Sequence, residues 1–151
     1  MKFKGIIKGL FLGLVAVITT AQLQLPDSTE QKLKKLYGPE LPPFISMKTA
    51  NRMLEQGEKT IIVHVWDHPL KLPHIPGAIH IPVERLREKA QELPKDRMII
   101  LYCGCCPFED CPRAIPAGRA LLKMGFSKLG VLYLPEGLRS WSDAGYRLDP
   151  P

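Results

Sequence analysis

The sequence predicts one α/β domain built around a parallel β-sheet. A chain of 151 residues with 45% hydrophobic content can bury one core but is too short for two ordinary domains. Short β-branched runs alternate with amphipathic stretches, which is the order expected of parallel strands joined by right-handed helical crossovers. The runs are apolar throughout, as is typical of strands covered on both faces.

The first 21 residues have the composition of a secretory signal peptide. Lys2, Lys4 and Lys8 precede an apolar run over 10–18, and small residues follow up to Ala21. The run is shorter than the roughly 20 residues of a spanning helix, so we expect cleavage after Ala21. The sequence therefore predicts export to the periplasm or the extracellular space, with membrane contact only through an uncleaved leader.

The net charge of +6 is partly a property of this leader, whose removal takes away three lysines and no acids and leaves +3. The remaining basic residues are scattered, as on an ordinary solvated surface. We therefore expect no nucleic-acid partner.

The elements follow in a regular order after a polar segment, 22–43, that is predicted to be flexible. The domain is expected over 44–151 and begins with a helix over 46–57, capped by Ser46 and followed by Gly57. Strands are predicted over 61–66, 78–81, 98–102 and 131–134. Amphipathic patterns predict further helices over 83–93, 115–124 and 137–144. His64, on an apolar strand, is interpreted as a satisfied core histidine.

All four cysteines lie between positions 103 and 111, with the spacing C-x-C-C-x4-C. Export permits disulfides, and four thiols can pair in three ways. A bridge within so short a segment closes a small loop and stabilises the fold little. The cluster therefore predicts a local chemical site. Pairing of Cys105 with Cys106 is disfavoured because adjacent cysteines meet disulfide geometry poorly.

Three ordered motifs, at 74–82 (HIPGAIHIP), 99–103 (IILYC) and 137–146 (GLRSWSDAGY), resemble the signatures of the rhodanese family. The resemblance implies a three-layer domain with a central, mostly parallel sheet of about five strands flanked by helices. It also implies a sulfurtransferase of the thiosulfate type, in which Cys103 takes a sulfane sulfur as a persulfide and passes it to a thiophilic acceptor. The expected partners are small sulfur donors and acceptors or a thiol protein, the expected state is a monomer, and no cofactor or metal is expected.

The residues of the loop receive distinct predicted roles. Cys103 is the nucleophile, because it follows a strand at the edge where parallel sheets bind ligands and where backbone N–H groups and a helix dipole favour a thiolate. Gly104 permits close approach of a ligand, and Arg113 adds a positive charge for an anionic donor. Cys105 and Cys106 line the loop, and either of these or Cys111 could resolve the persulfide or form a disulfide. The loop is longer than the six residues usual in the family, so substrate identity does not follow from the resemblance.

Other functions remain open at this point. Four thiols could bind zinc or Cu(I), or act as a thiol-redox module without sulfurtransferase turnover. A phosphatase is a third interpretation, disfavoured because Pro107 and Pro112 remove N–H donors from the loop. A non-catalytic interaction domain is a fourth.

Overall fold

The computed structural model describes residues 22–67, 72–111 and 113–151 and contains a five-stranded, fully parallel sheet. The strands are β1 (Phe44–Ile45), β2 (Thr60–His64), β3 (Ile79–His80), β4 (Met98–Tyr102) and β5 (Leu129–Leu132). Their spatial order is β1-β5-β4-β2-β3, so β4 is the central strand. The predicted α/β class and parallel sheet are confirmed.

Helices cover both faces of this sheet. They are α1 (Asp27–Tyr37), α2 (Met47–Glu55), α3 (Leu86–Lys89), α4 (Ala114–Lys123) and α5 (Leu138–Asp143). Buried residues of α1, α3 and α4 pack with Leu101 and Val131 on one face. Buried residues of α2 and α5 pack with Ile62 and Ile100 on the other. The result is the predicted three-layer arrangement.

Several predicted elements are shorter than expected. Strand β3 has only two residues and is followed closely by Pro82, which cannot donate to a ladder. The stretch 83–93 is a single four-residue α-helix between 3₁₀ turns at Val83–Arg85 and Ala90–Glu92. It ends at Leu93, whose extended backbone is typical of a residue before proline. The α2 cap is as predicted, since Ser46 Oγ accepts a hydrogen bond from the Thr49 N–H at 3.1 Å.

Helix α1 was not predicted from the sequence and lies within the segment, 22–43, that was expected to be flexible. One face of α1 packs against the domain, since Leu33 on this face is fully buried and Thr29 is only 3% exposed. The Arg119 side chain donates a hydrogen bond to the Tyr37 carbonyl near the end of the helix. The other side chains of α1 are mostly polar, so no strong apolar period marked it.

The predicted signal peptide lies outside the described residues. Among the helices of 22–67, 72–111 and 113–151, none combines the length and the apolar character that crossing a bilayer demands.

Candidate active site

Cys103 lies at the carboxyl end of the central strand. It directly follows Tyr102, the last residue of β4, and its side chain packs on the face that carries α1, α3 and α4. The carboxyl edge of an open parallel sheet is where such folds bind ligands. Cys103 is only 4% exposed, however, so its sulfur is shielded by the loop that follows. We call residues 103–111 the cysteine loop.

The cysteine loop folds back so that its sulfur atoms meet. Cys103 Sγ lies 3.4 Å from Cys105 Sγ and 3.7 Å from Cys111 Sγ, and Cys105 Sγ lies 3.4 Å from Cys111 Sγ. Cys106 Sγ is 3.2 Å from Cys105 Sγ. All four are free thiols. The predicted local site is therefore a cluster of sulfurs with Cys105 at its centre.

The protonation of Cys103 differs from the prediction. Burial raises the pKa of the Cys103 thiol to about 12, although the Cys105 backbone N–H donates to its sulfur and acts in the opposite direction. Burial likewise raises the pKa of Cys105 to about 12 and raises the pKa of Cys106. These shifts oppose the predicted thiolate at Cys103, because removal from water outweighs the hydrogen bonds from Cys105, and the neighbouring Cys111 sulfur adds to the rise.

The first part of the cysteine loop packs on the start of α5. A Cβ on Gly104 would lie 2.3 Å from Leu138 Cγ, and the Gly104 carbonyl accepts a hydrogen bond from the Leu138 N–H at 3.2 Å. Gly137 has a φ of 61°, and a Cβ there would lie 2.8 Å from the Cys106 carbonyl oxygen. Glycine at 104 thus permits close approach, as predicted, but the approaching group is a leucine of the same chain.

The second part of the loop is held by contacts distant in sequence. Phe108 is 3% exposed and makes edge-to-face contacts with the rings of Phe44 and Tyr133. The Glu109 carboxylate accepts hydrogen bonds from Thr29 Oγ1 at 2.5 Å and from Lys32 Nζ at 3.0 Å. These contacts lower the pKa of Glu109. Neither partner of Glu109 was predicted from the sequence, because both lie on α1, which was not predicted.

Comparison with known proteins identifies this architecture. Residues 46–144 match the family described as Rhodanese-like domain. The chain belongs to the rhodanese-like domain family. This is a family of sulfur-transfer proteins, and the matched range contains the whole cysteine loop but leaves α1 and β1 outside it.

Individual relatives of the rhodanese-like chain agree with this assignment. The "Putative sulfur carrier protein YrkF" of Bacillus subtilis (strain 168) is 29% identical over 101 residues, which are 66% of this chain and 51% of that protein. The chain thus spans about half the length of this curated relative. The BH2092 protein from Bacillus halodurans has a TM-score of 0.62 at 25% identity, covering 82% of this chain and 84% of that one. A thiosulfate sulfurtransferase from Pseudomonas aeruginosa, with a TM-score of 0.59 at 21% identity, shares the fold over 82% of this chain and 22% of its own.

Arg113, predicted to bind an anionic donor at this rhodanese-like site, has an acidic partner within the protein. Its guanidinium forms an ion pair with the carboxylate of Asp67, which follows β2. The other oxygen of that carboxylate, Oδ1, is buried and lacks a hydrogen-bond partner within the described residues. Asp67, which sequence analysis did not select, therefore competes with any anionic donor for Arg113.

A group of histidines lies on the opposite face of the rhodanese-like sheet. His64 is 1% exposed and stacks on Tyr102 with ring centroids 4.6 Å apart, while the His80 ring is 5.7 Å away. Burial, with smaller contributions from His80 and His74, lowers the pKa of His64 to about 4. The predicted core position is confirmed, but within the described part of the chain neither ring nitrogen of His64 has a hydrogen-bond partner.

Proposed function

We propose that this rhodanese-like chain is an exported sulfurtransferase that carries a sulfane sulfur as a persulfide on Cys103. The observation that carries the proposal is the location of Cys103 at the carboxyl end of β4, with the Cys105 N–H directed at its sulfur. A backbone donor at that point would stabilise the terminal sulfur of a persulfide anion. Export is proposed from the leader sequence.

The proposed first step transfers one sulfur from thiosulfate. The Cys103 sulfur bonds to the outer sulfur of the donor, the bond from that sulfur to the sulfonate breaks, and sulfite leaves with the electron pair. The thiol proton is released to solvent or to sulfite. Cys103 is then one sulfur longer, and cyanide or another thiophile removes this sulfur in the second half of the cycle.

The cysteine loop must open for the donor to enter, because Cys103 is 4% exposed. Cys105 and Cys111 are half-buried and contact the Cys103 sulfur, so their side chains are the ones that move. Either thiol is also a suitable resolving group. Its attack on the inner sulfur of the persulfide would form a disulfide to Cys103 and release hydrogen sulfide, with no external oxidant needed.

The relatives support sulfur transfer and leave the donor open. The name of the Bacillus subtilis relative refers to a sulfur carrier, and that of the Pseudomonas aeruginosa structure refers to a thiosulfate sulfurtransferase. We propose thiosulfate or a small persulfide as donor and a small thiophile or a thiol protein as acceptor. We further propose that the protein acts as a monomer and binds no nucleic acid.

The test is to locate the added sulfur. Reduced protein is incubated with thiosulfate, digested under non-reducing conditions and examined by peptide mass spectrometry. We expect a gain of one sulfur on Cys103, turnover with cyanide, and loss of both in Cys103→Ser. Ser127→Ala is the control, since it also alters a single atom but at an exposed position before β5. Full turnover by Cys103→Ser would refute the assignment.

A further inference from the structure

The sulfurs of Cys103, Cys105 and Cys111 form a nearly equilateral triangle. Its sides measure 3.4, 3.4 and 3.7 Å, and the three atoms all lie within 4.8 Å of one another. These separations are much longer than the roughly 2.05 Å of a disulfide bond. They are close to the spacing of thiolates around one metal ion. With metal–sulfur bonds of about 2.3 Å, sulfurs are about 3.8 Å apart in a tetrahedral site and about 4.0 Å apart in a planar one.

The protein holds this triangle from several sides. Gly104 is packed against Leu138, so the chain between Cys103 and Cys105 has little freedom. Phe108, fixed between two aromatic rings, leads the loop back to Cys111. A metal ion would require each sulfur to move outward by only roughly 0.3 Å. The site is therefore arranged before any ion binds, which reduces the entropic cost of binding.

The number and type of donors indicate which ion fits. Soft thiolates favour Cu(I) and zinc among the available metals. Structural zinc sites in proteins are closed by four protein ligands, whereas Cu(I) is also stable with three thiolates. Cys106 Sγ lies 3.2 Å from Cys105 Sγ, but it does not belong to the group of sulfurs that all lie within 4.8 Å of one another. The cluster thus offers three sulfurs that can bind one ion together, whereas the Cys106 sulfur lies outside that group.

We propose that Cys103, Cys105 and Cys111 bind one Cu(I) ion as a three-thiolate site from which Cys106 is excluded. Each bound thiol gives up its proton to solvent, and the oxidation state of the ion does not change. This inference stands on the sulfur geometry and is independent of sulfurtransferase activity. Because both uses require the Cys103 sulfur, a bound Cu(I) ion blocks persulfide formation.

The test is an anaerobic titration of the reduced 151-residue chain with Cu(I), in competition with the chromophoric chelator bicinchoninate. We expect one tightly bound ion per chain and three sulfur ligands by X-ray absorption. Cys105→Ser and Cys111→Ser should each weaken binding at least tenfold. Cys106→Ser is the matched control and should change the affinity less than twofold.

Three results would overturn the inference. One is equal weakening by Cys106→Ser and Cys111→Ser, which would indicate a four-thiolate site. Another is binding that none of the serine variants weakens, which would indicate adventitious copper. The third is preferential uptake of zinc with four ligands when both metals are supplied.

Sulfur loading is measured separately on the metal-free wild-type protein. Loading of Cys103 without stoichiometric Cu(I) binding contradicts this inference and leaves the proposed function standing. Cu(I) binding without sulfur loading supports this inference and contradicts the proposed function.

Discussion

Tyr102 and Cys103 are adjacent in the chain, but they lie on opposite faces of the sheet and in different surroundings. On the cysteine face, which carries α1, α3 and α4, the sulfurs contact one another and the loop around them is fixed by distant residues. On the histidine face, which carries α2 and α5, His64 is buried against Tyr102, and its ring nitrogens have no hydrogen-bond partner among the described residues. On the cysteine face, packing thus holds a cluster of polarizable sulfur atoms together. On the histidine face, burial of the titratable His64 ring lowers the stability of the fold by an amount that depends on pH.

The largest effect is expected from removing the aromatic anchor of the cysteine face. Phe108→Ala should lower the free energy of unfolding by about 4 kcal/mol, the usual cost of emptying a buried phenylalanine site. It should also speed alkylation of the cysteines, because the loop loses its contacts with Phe44 and Tyr133. Urea unfolding and thiol-labelling rates measure the two effects.

Leu122→Ala is the control for this prediction, since Leu122 is 38% exposed. Leu122→Ala should change neither the free energy of unfolding nor the alkylation rate of the cysteines appreciably. A Phe108→Ala protein of unchanged stability would show that the loop is held elsewhere.

The next largest effect is expected on the histidine face, where burial of His64 should make the free energy of unfolding decrease at low pH. The pKa of His64 is about 4 in the folded protein, against about 6.5 in an unfolded chain, so the unfolded state binds more protons between these values. Stability should therefore fall as pH decreases through this window, by about 3 kcal/mol between pH 7 and pH 4 from this residue. Urea unfolding at several pH values measures the slope.

His64→Leu should remove that part of the acid sensitivity, because leucine cannot be protonated. His80→Leu provides a comparison, since His80 contributes only as a neighbouring charge and its ring is also engaged by the Trp66 carbonyl. An unchanged pH slope in His64→Leu would contradict the assignment of acid sensitivity to this site.

The two faces also differ in how far the sequence could reveal them. Strands β2 and β4 were predictable because each is a short run rich in Ile and other apolar residues, and the location of Cys103 followed from the end of β4. The close packing of four cysteines within nine residues indicated a local site. Which sulfurs converge was not predictable, because the path of the loop depends on contacts with Thr29 and Phe44, far away in the chain.

The degree to which individual side chains are buried could not be predicted from local sequence patterns. The sequence suggested a thiolate at Cys103, but burial of its sulfur in the folded loop raises the pKa of the thiol. The same limit applies to His64, whose core position was predicted, whereas the lack of a hydrogen-bond partner within the described part of the chain was not. Helix α1 was missed because tertiary contacts, rather than a strong periodic pattern, fix it to the domain.

A smaller effect tests whether the start of the cysteine loop is as tightly packed as the geometry indicates. Gly104→Ala should lower stability by about 2 kcal/mol, because the new methyl group overlaps the Leu138 side chain. A double-mutant cycle with Leu138→Ala measures the coupling, and the second change should recover part of the loss. Additive effects in the cycle would contradict the proposed contact.

The smallest effect concerns the link between α1 and the cysteine loop. Thr29 is 3% exposed and donates to Glu109, so Thr29→Val keeps the shape of the side chain while removing one hydrogen bond. We expect a loss of about 1 kcal/mol and a faster reaction of Cys111 with an alkylating reagent, because the loop segment before it is released. Lys32→Gln is the comparison, since an exposed ion pair contributes little. If both variants label Cys111 at the wild-type rate, the Thr29 and Lys32 contacts of α1 do not hold the loop, and its order rests on the contacts of Phe108 with Phe44 and Tyr133.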